Sequence, residues 1–153
     1  MRLRKATIED AAPLALLLRE IGWFAAFKSE SIDDSTRRVR SELELCLADG
    51  SHSVYVAQTD DRIIGYVSVH WIPYLFMPGP EGYVSELFVR NGERGQGVGR
   101  QLLEVVRAEA RSRRCSRLAL TNLRHRESYQ RQFYTKAGWI ERDDAASFVY
   151  PMD

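Results

Sequence analysis

Hydrophobic positions recur along this chain with two periods, and the switches between them mark its elements. A weakly alternating run from Arg2 to Thr7 opens the chain as a short strand. Apolar residues at helical spacing follow from Ala11 to Ile21, with Asp10 placed as an N-cap, Pro13 in the first turn and Gly22 as the stop. Trp23-Phe24-Ala25-Ala26-Phe27 is an aromatic link that either packs over the core or walls a substrate site. A second helix, capped by Asp33 or Ser35, reaches Ala48 with Val39, Leu43, Leu45 and Leu47 among its apolar positions, and Asp49-Gly50 stops it. Ser53 to Gln58 and Arg62 to Trp71 read as a strand pair joined through Thr59-Asp60-Asp61. The apolar, proline-rich stretch Ile72 to Gly82 is unsuited to a central strand, so it packs down or closes on a ligand. Tyr83 to Val89 is strand-like, and Val98 to Arg111 is a helix with Val98, Leu102, Leu103, Val105, Val106 and Ala110 on its apolar side. Arg117 to Thr121 reads as a strand, Glu127 to Ala137 as a helix capped by Gly138, and Trp139 to Arg142 and Ala146 to Tyr150 as two closing strands. Strands alternating with helices, with a hairpin among them, predict a mixed sheet with helices on both faces.

Length and charge narrow the picture. The 153 residues predict a single domain, 1–153, large enough for its own core. A net charge of +1 gives no strong field, so neither nucleic acid nor an anionic membrane is an expected partner. The dense arginines Arg107, Arg111, Arg113, Arg114 and Arg117 read as a solvated helix face and end, with nucleic-acid binding through them a distant alternative. No apolar stretch approaches the roughly 18 residues of a membrane span. The segment Met1-Arg2-Leu3-Arg4-Lys5 lacks the apolar core of a secretion signal, and Cys46 and Cys115 lie far apart. The expectation is a cytoplasmic protein with reduced thiols. His52, His70 and His125 have no metal-ligand spacing with cysteines or carboxylates, so no metal is expected.

The chemistry concentrates in Glu93-Arg94-Gly95-Gln96-Gly97-Val98-Gly99-Arg100, between the strand ending at Val89 and the helix starting at Val98. Strand, glycine turn and helix N-terminus make a cradle for phosphate. A nucleoside-triphosphate loop needs Lys and Ser/Thr after its last glycine, where this chain has Val98 and Gly99 after Gly97. A dinucleotide fingerprint needs a third glycine at position 100, where Arg100 stands, and too little chain follows for that fold. What matches is Arg94-x-x-Gly97-x-Gly99, preceded by Glu86-Leu87-Phe88-Val89 and followed by Phe133-Tyr134-Thr135-Lys136-Ala137-Gly138-Trp139. With the opening strand and the helix start Ala6-Thr7-Ile8-Glu9-Asp10-Ala11, this order resembles the GNAT superfamily of N-acetyltransferases over nearly the whole chain. The chain departs from the family in Asn91-Gly92, where proline is frequent, and in Trp139, where phenylalanine often stands.

The resemblance implies an α/β (α+β) fold: a central, mostly antiparallel, twisted sheet of six to seven strands, splayed at the acetyl-CoA site. It implies acetyl transfer from acetyl-CoA to a primary amine by direct attack in a ternary complex, without a metal or a covalent enzyme intermediate. The pyrophosphate would rest on Arg94, Gly95, Gln96, Gly97, Val98, Gly99 and Arg100. The pantetheine arm would pair with the strand edge at Leu87, Phe88 and Val89, and an N–H near Val89 would polarise the thioester carbonyl. Glu86 would be the base, since an alkylammonium with a pKa of roughly 10 must lose a proton before attacking; a solvated or merely ammonium-binding carboxylate is the alternative. Tyr134 would protonate the leaving thiolate, or else pack with Phe133 in the core, with Tyr129 a weaker choice for the acid. His70 and His125 are further possibilities for lining the cleft or touching a ligand. Acidic residues near the acceptor side are Glu20, Glu30, Asp33, Asp34 and Glu81. The aromatic link and the Ile72 to Glu81 loop favour an acceptor with apolar parts, a small molecule or a peptide amine. A homodimer through an open sheet edge fits the same fold, and a non-catalytic acyl-CoA sensor on this fold is the competing reading.

Overall fold

A computed structural model describes residues 1–152. The chain divides into two compact units, Met1–Thr121 and the stretch from Asn122 onward. The first unit holds one five-stranded sheet in the order β1-β2-β3-β4-β5. The strands are β1 (Arg2–Lys5), β2 (His52–Thr59), β3 (Arg62–Ile72), β4 (Glu81–Val89) and β5 (Arg117–Leu120). The first four pair antiparallel and β5 joins β4 in parallel. The sheet is therefore mixed, as the sequence predicts.

Helices cover both faces. On one face lie α1 (Ala11–Ile21) and α3 (Ile32–Leu47), with the short α2 (Ala25–Ser29) between them; on the other lies α4 (Val98–Ser112). The faces follow from strand alternation. A Cβ added to Gly65 would meet Leu102 of α4, so Gly65, Val67 and Val69 face α4. Tyr66 and Ser68 face the other way, among residues of α1 and α3. Leu17, Val56, Val67, Val69, Leu102 and Val106 are completely buried and hold the three layers together.

The local signals explain most boundaries. Gly22 ends α1 at φ 72°, a left-handed conformation that glycine adopts without penalty. The hairpin turns at Asp60-Asp61 as the sequence predicts, with Asp60 at φ 52°. Asp10 stands at the N-cap position of α1, as expected, but its side chain makes no cap bond to that helix. It lies three residues after Thr7, whose backbone N–H donates to its carboxylate at 2.8 Å, and it receives both Arg4 nitrogens at 2.7 and 2.8 Å. The cap of α3 is Ser31, which accepts from the Asp34 N–H at 3.1 Å, so this helix starts ahead of the expected Asp33 or Ser35. Leu45 and Leu47 of α3 face outward at 67% and 40% exposure, because its buried side runs through Ser35, Val39 and Leu43. The aromatic link contains the short α2, whose five residues are too few for a periodic pattern to show.

The second unit departs further from expectation. The helix expected over Glu127 to Ala137 is two pieces, α5 (Glu127–Gln130) and α6 (Phe133–Lys136), broken where Gln132 turns left-handed at φ 56°. Gly138 follows at φ 85°, as a C-terminal stop should. Trp139 to Arg142 and Ala146 to Tyr150 form no strands, so the described residues carry five strands rather than six or seven. Ile140, Phe148 and Val149 have alternating or apolar character but no ladder partner here, and a strand is defined by its partner. Among the described residues no helix is long and apolar enough to cross a membrane.

Candidate active site

The parallel pairing of β4 with β5 runs only from Glu81↔Arg117 to Val84↔Leu120. β4 continues to Val89, so Ser85, Glu86, Leu87, Phe88 and Val89 have an unpaired edge on that side. The pairing stops because β5 ends at Leu120, and an unpaired strand edge of this kind can accept an extended, amide-bearing chain. On its other side β4 stays paired with β3, but the register jumps from Ser68↔Glu86 to Val69↔Val84. Ser85 is the extra residue of a β-bulge.

Strict alternation along β4 would put Val84, Glu86 and Phe88 on one face, and the bulge breaks it. Val84 does not share a face with Glu86 and Phe88. It turns towards α4 and is 4% exposed, whereas Glu86 and Phe88 stand opposite Ser68 and Tyr66 on the α1–α3 face. One inserted residue reverses every side chain beyond it. At the bulge, Ser85 Oγ lies 2.9 Å from His70 Nε2, and the His70 ring lies 4.2 Å from that of His52.

Glu86 borders a cavity of about 390 Å3 between α1, α2, α3 and the sheet, half open to solvent. Its polar lining is Arg38, Glu42, Cys46, Tyr66, Ser68 and Glu86, set among Leu14, Leu18, Phe24, Phe27, Val39, Leu43 and Val54. The Glu86 side chain is exposed even as it lines this half-open cavity. Burial among the cavity walls raises its pKa, the hydrogen bond with Tyr66 counters part of that rise, and the charge of Glu42 adds to it. Tyr66 is itself pushed well above the ordinary tyrosine value, first by burial and then by the Glu86 charge beside it. Burial likewise raises the Cys46 thiol, with Glu86 and Glu42 contributing. A carboxyl with a raised pKa beside a protonated tyrosine is a candidate for proton transfer.

The glycine turn lies beyond the end of β4. After a 3-10 turn at Asn91–Glu93, Gly95 and Gly97 adopt φ 80° and 81°, and a Cβ on either would meet nothing within 4 Å. These two glycines are thus required by conformation, and the space above them is open. Gly99 differs from them, because it already lies within the first turn of α4. Gly97 caps that helix, and its carbonyl accepts from the Gln101 N–H at 3.0 Å. The amides of Val98, Gly99 and Arg100 therefore precede the first intrahelical donor and point out of the helix end. Val98 is buried and anchors the turn, while Gly95, Gln96, Gly97 and Arg100 are exposed. The side-chain amide of Gln96 folds back onto the Gly92 carbonyl at 3.2 Å.

Arg94 bridges the turn to the strand. Its Nε donates to the Val89 carbonyl at 3.3 Å, and its guanidinium lies 5.6 Å from the Trp23 ring centre. Trp23 and Phe24 both meet Phe88 edge-on, at 5.8 and 5.5 Å, and Tyr66 lies 5.7 Å from the same ring. The aromatic link packs on Phe88 through Trp23 and Phe24 and lines the cavity through Phe24 and Phe27. Leu87, opposite Val67, points to the α4 face.

Tyr134 belongs to the second unit. Its ring packs edge-on against Phe133 at 4.9 Å and against Trp139 at 6.1 Å, and burial lifts its pKa to about 12. Tyr129 donates to Glu141 at 3.0 Å. Four of the acidic residues considered for the acceptor side are engaged by arginines: Glu20 by Arg90, Glu30 by Arg38, Asp34 by Arg37 and Glu81 by Arg117. The carboxylate that does join Glu86 is Glu42, which sequence reading passed over, as it did Tyr66, Ser68 and Cys46. The signal for them was present: Val39, Glu42, Leu43 and Cys46 share one helical face, and Tyr66 and Ser68 are polar residues two apart in an apolar strand. Among the described residues no cluster of three or more His, Cys, Asp or Glu side chains is arranged to hold a metal.

Comparison with known proteins agrees with this architecture. The model of the acetyltransferase (GNAT) family matches residues 17–139, and the chain belongs to that family. Its fold is similar to that of a transcriptional regulator from Bacillus halodurans C-125, at TM-score 0.81 and 22% identity over 97% of this chain and 99% of that one. It is also similar to a ribosomal-protein-alanine N-acetyltransferase from Brucella melitensis biovar Abortus 2308, at 0.72 and 22% over 99% and 98%. A third similar structure is an aminoglycoside acetyltransferase from an uncultured soil metagenomic sample, at 0.78 and 18% over 99% and 96%. No curated protein sequence matches the chain.

Proposed function

We propose that this chain, acting as one catalytic domain, transfers the acetyl group of acetyl-CoA to a primary amine in a ternary complex. The observation that carries the reading is the unpaired β4 edge from Ser85 to Val89, running from a carboxyl of raised pKa to a positive-φ glycine turn that opens a helix. The residues fit the group. The open space over Gly95 and Gly97 is where side chains would obstruct a pyrophosphate, and the first amides of α4 donate into it. Arg94 and Arg100 add positive charge at the same end. Leu87, Phe88 and Val89 offer backbone groups to a pantetheine arm.

Acetyl-CoA supplies an activated thioester; the chain supplies position and proton handling. Glu86 takes a proton from the ammonium form of the acceptor, directly or through water, and its raised pKa matches that work better than an ordinary carboxylate would. Tyr134, with its pKa at about 12, remains protonated at neutral pH, which suits donation of a hydrogen bond to the departing sulfur. Two structural neighbours are named for a protein acceptor and for an aminoglycoside, so this fold serves both classes of acceptor.

Thiol release from acetyl-CoA over a panel of amines tests the proposal. At least one amine is expected to stimulate release, and Gly97→Val to abolish acetyl-CoA binding by calorimetry while the protein remains folded. Tight acetyl-CoA binding with no release on any amine would favour an acyl-CoA sensor instead. Normal binding by Gly97→Val would remove the turn from the site.

A further inference from the structure

We propose that the cavity between α1, α2, α3 and the sheet is the acceptor site, and that its acceptor is a small monoamine with a compact aryl or branched-alkyl body. This inference rests on the acetyl-transfer reading and adds the chemical class of the acceptor. The cavity, about 390 Å3, falls within the roughly 300–1,000 Å3 of small-ligand pockets. Its walls are apolar and aromatic: Leu14, Leu18, Phe24, Phe27, Val39 and Leu43. Two carboxylates, Glu42 and Glu86, occupy the same cavity, and the charge of Glu42 makes ionisation of Glu86 harder. A single ammonium between them relieves that repulsion, and both carboxylates accept its hydrogen bonds.

The other titratable groups around Glu86 add no competing charge. Tyr66 and Cys46 are both held towards their protonated forms. Arg38 is the one cation in the lining, and it is already taken: it donates to Glu30 at 3.2 and 2.7 Å and lies 4.3 Å from the Phe27 ring centre. The cavity therefore offers no free cation to the carboxylate of an amino acid. A polyamine finds no carboxylate in the lining beyond Glu42 and Glu86 to pair with its remaining ammonium groups. In the reaction the amine nitrogen, once freed of a proton through Glu86, bonds to the acetyl carbon. The carbon–sulfur bond breaks, the nitrogen gives up its second proton to become the amide nitrogen, and the departing thiolate takes up one proton to leave as the free thiol.

Calorimetry with 2-phenylethylamine on the CoA-loaded protein tests the inference apart from turnover. Phenylethylamine is expected to bind at least about tenfold more tightly than spermidine or phenylalanine, in line with the penalty for unpaired polar groups in an apolar pocket. Glu42→Gln should weaken phenylethylamine binding about tenfold, the order expected for one charge-assisted hydrogen bond. Ala26→Trp, which fills the cavity from the exposed side of α2, should weaken it further without changing acetyl-CoA affinity. In active preparations the limb of the kcat/KM pH profile on which Glu86 loses its proton should move to lower pH in Glu42→Gln, because the neighbouring charge is gone. Absence of phenylethylamine binding, tighter binding of spermidine or phenylalanine, or unchanged affinity in Ala26→Trp would overturn the inference. Amine binding without thiol release from acetyl-CoA would instead count against the transfer reading.

Discussion

Glu86 is held in a place that its charge resists. The bulge at Ser85 aims it into an apolar cavity beside a second carboxylate, and burial raises its pKa. A carboxyl whose folded pKa exceeds its unfolded value of about 4.3 binds more protons folded than unfolded, so it costs stability as pH rises through that window. Function and stability therefore pull in opposite directions at this residue. Glu86→Gln is expected to lower kcat/KM for acetyl transfer by about 100-fold or more, the usual worth of a general base. The same variant is expected to melt at an equal or higher temperature at pH 7. A lower melting temperature with unchanged turnover would contradict both parts. The identity of Glu86 was legible from its place before Leu87-Phe88-Val89, but its surroundings were not. Tyr66 and Glu42 come from β3 and α3, and nothing in local spacing brings three elements to one point.

At the scale of elements, α4 is the part that sequence described best. Its apolar stripe appears in the structure as Val98, Leu102, Leu103, Val106 and Ala110, all buried. That stripe fixes α4 on the sheet, and so fixes where its N-terminal amides point. Leu102 is fully buried, and Leu102→Ala is expected to cost about 2–5 kcal/mol of stability through lost burial and the remaining cavity. Urea unfolding should show this as a lower midpoint with an unchanged slope. By contrast, the bulge in β4 and the break at Gln132 left no periodic trace. A bulge inserts one residue into an otherwise regular alternation, and Gln132 is an ordinary helix former that turns left-handed here. The closing strands failed for a related reason, since alternation marks a sequence able to pair without supplying the partner.

Across the molecule, balanced charge hides a set of specific pairs that sequence totals cannot show. Burial would raise Asp10, but hydrogen bonds from Arg4 and the Thr7 amide bring it below the ordinary carboxylate value. Burial would also raise Glu109, yet Tyr55, Arg113 and Ser53 donate to it and Lys5 adds positive charge, so it too falls below its ordinary value. Carboxyls with depressed folded pKa values stabilise the fold above their unfolded values of about 3.9 and 4.3, and that contribution is lost as pH falls through the folded values. The urea midpoint should accordingly fall between pH 6 and pH 3. Asp10→Asn should be less stable than the parent at pH 6, with the gap narrowing as pH falls below about 3.9; a constant gap would mean that the pairing with Arg4 carries no net weight.

The sequence by itself determined the glycine turn, the helix it opens and the strand before it. Backbone freedom at Gly95 and Gly97 and the apolar period of α4 are properties of short stretches, written where they act. Only the tertiary structure decided the unpaired edge of β4, the face on which Glu86 lies and the cavity shared with Glu42 and Tyr66. Those features arise from pairings between residues far apart in the chain, where one slipped register turns a side chain from solvent or core into a site.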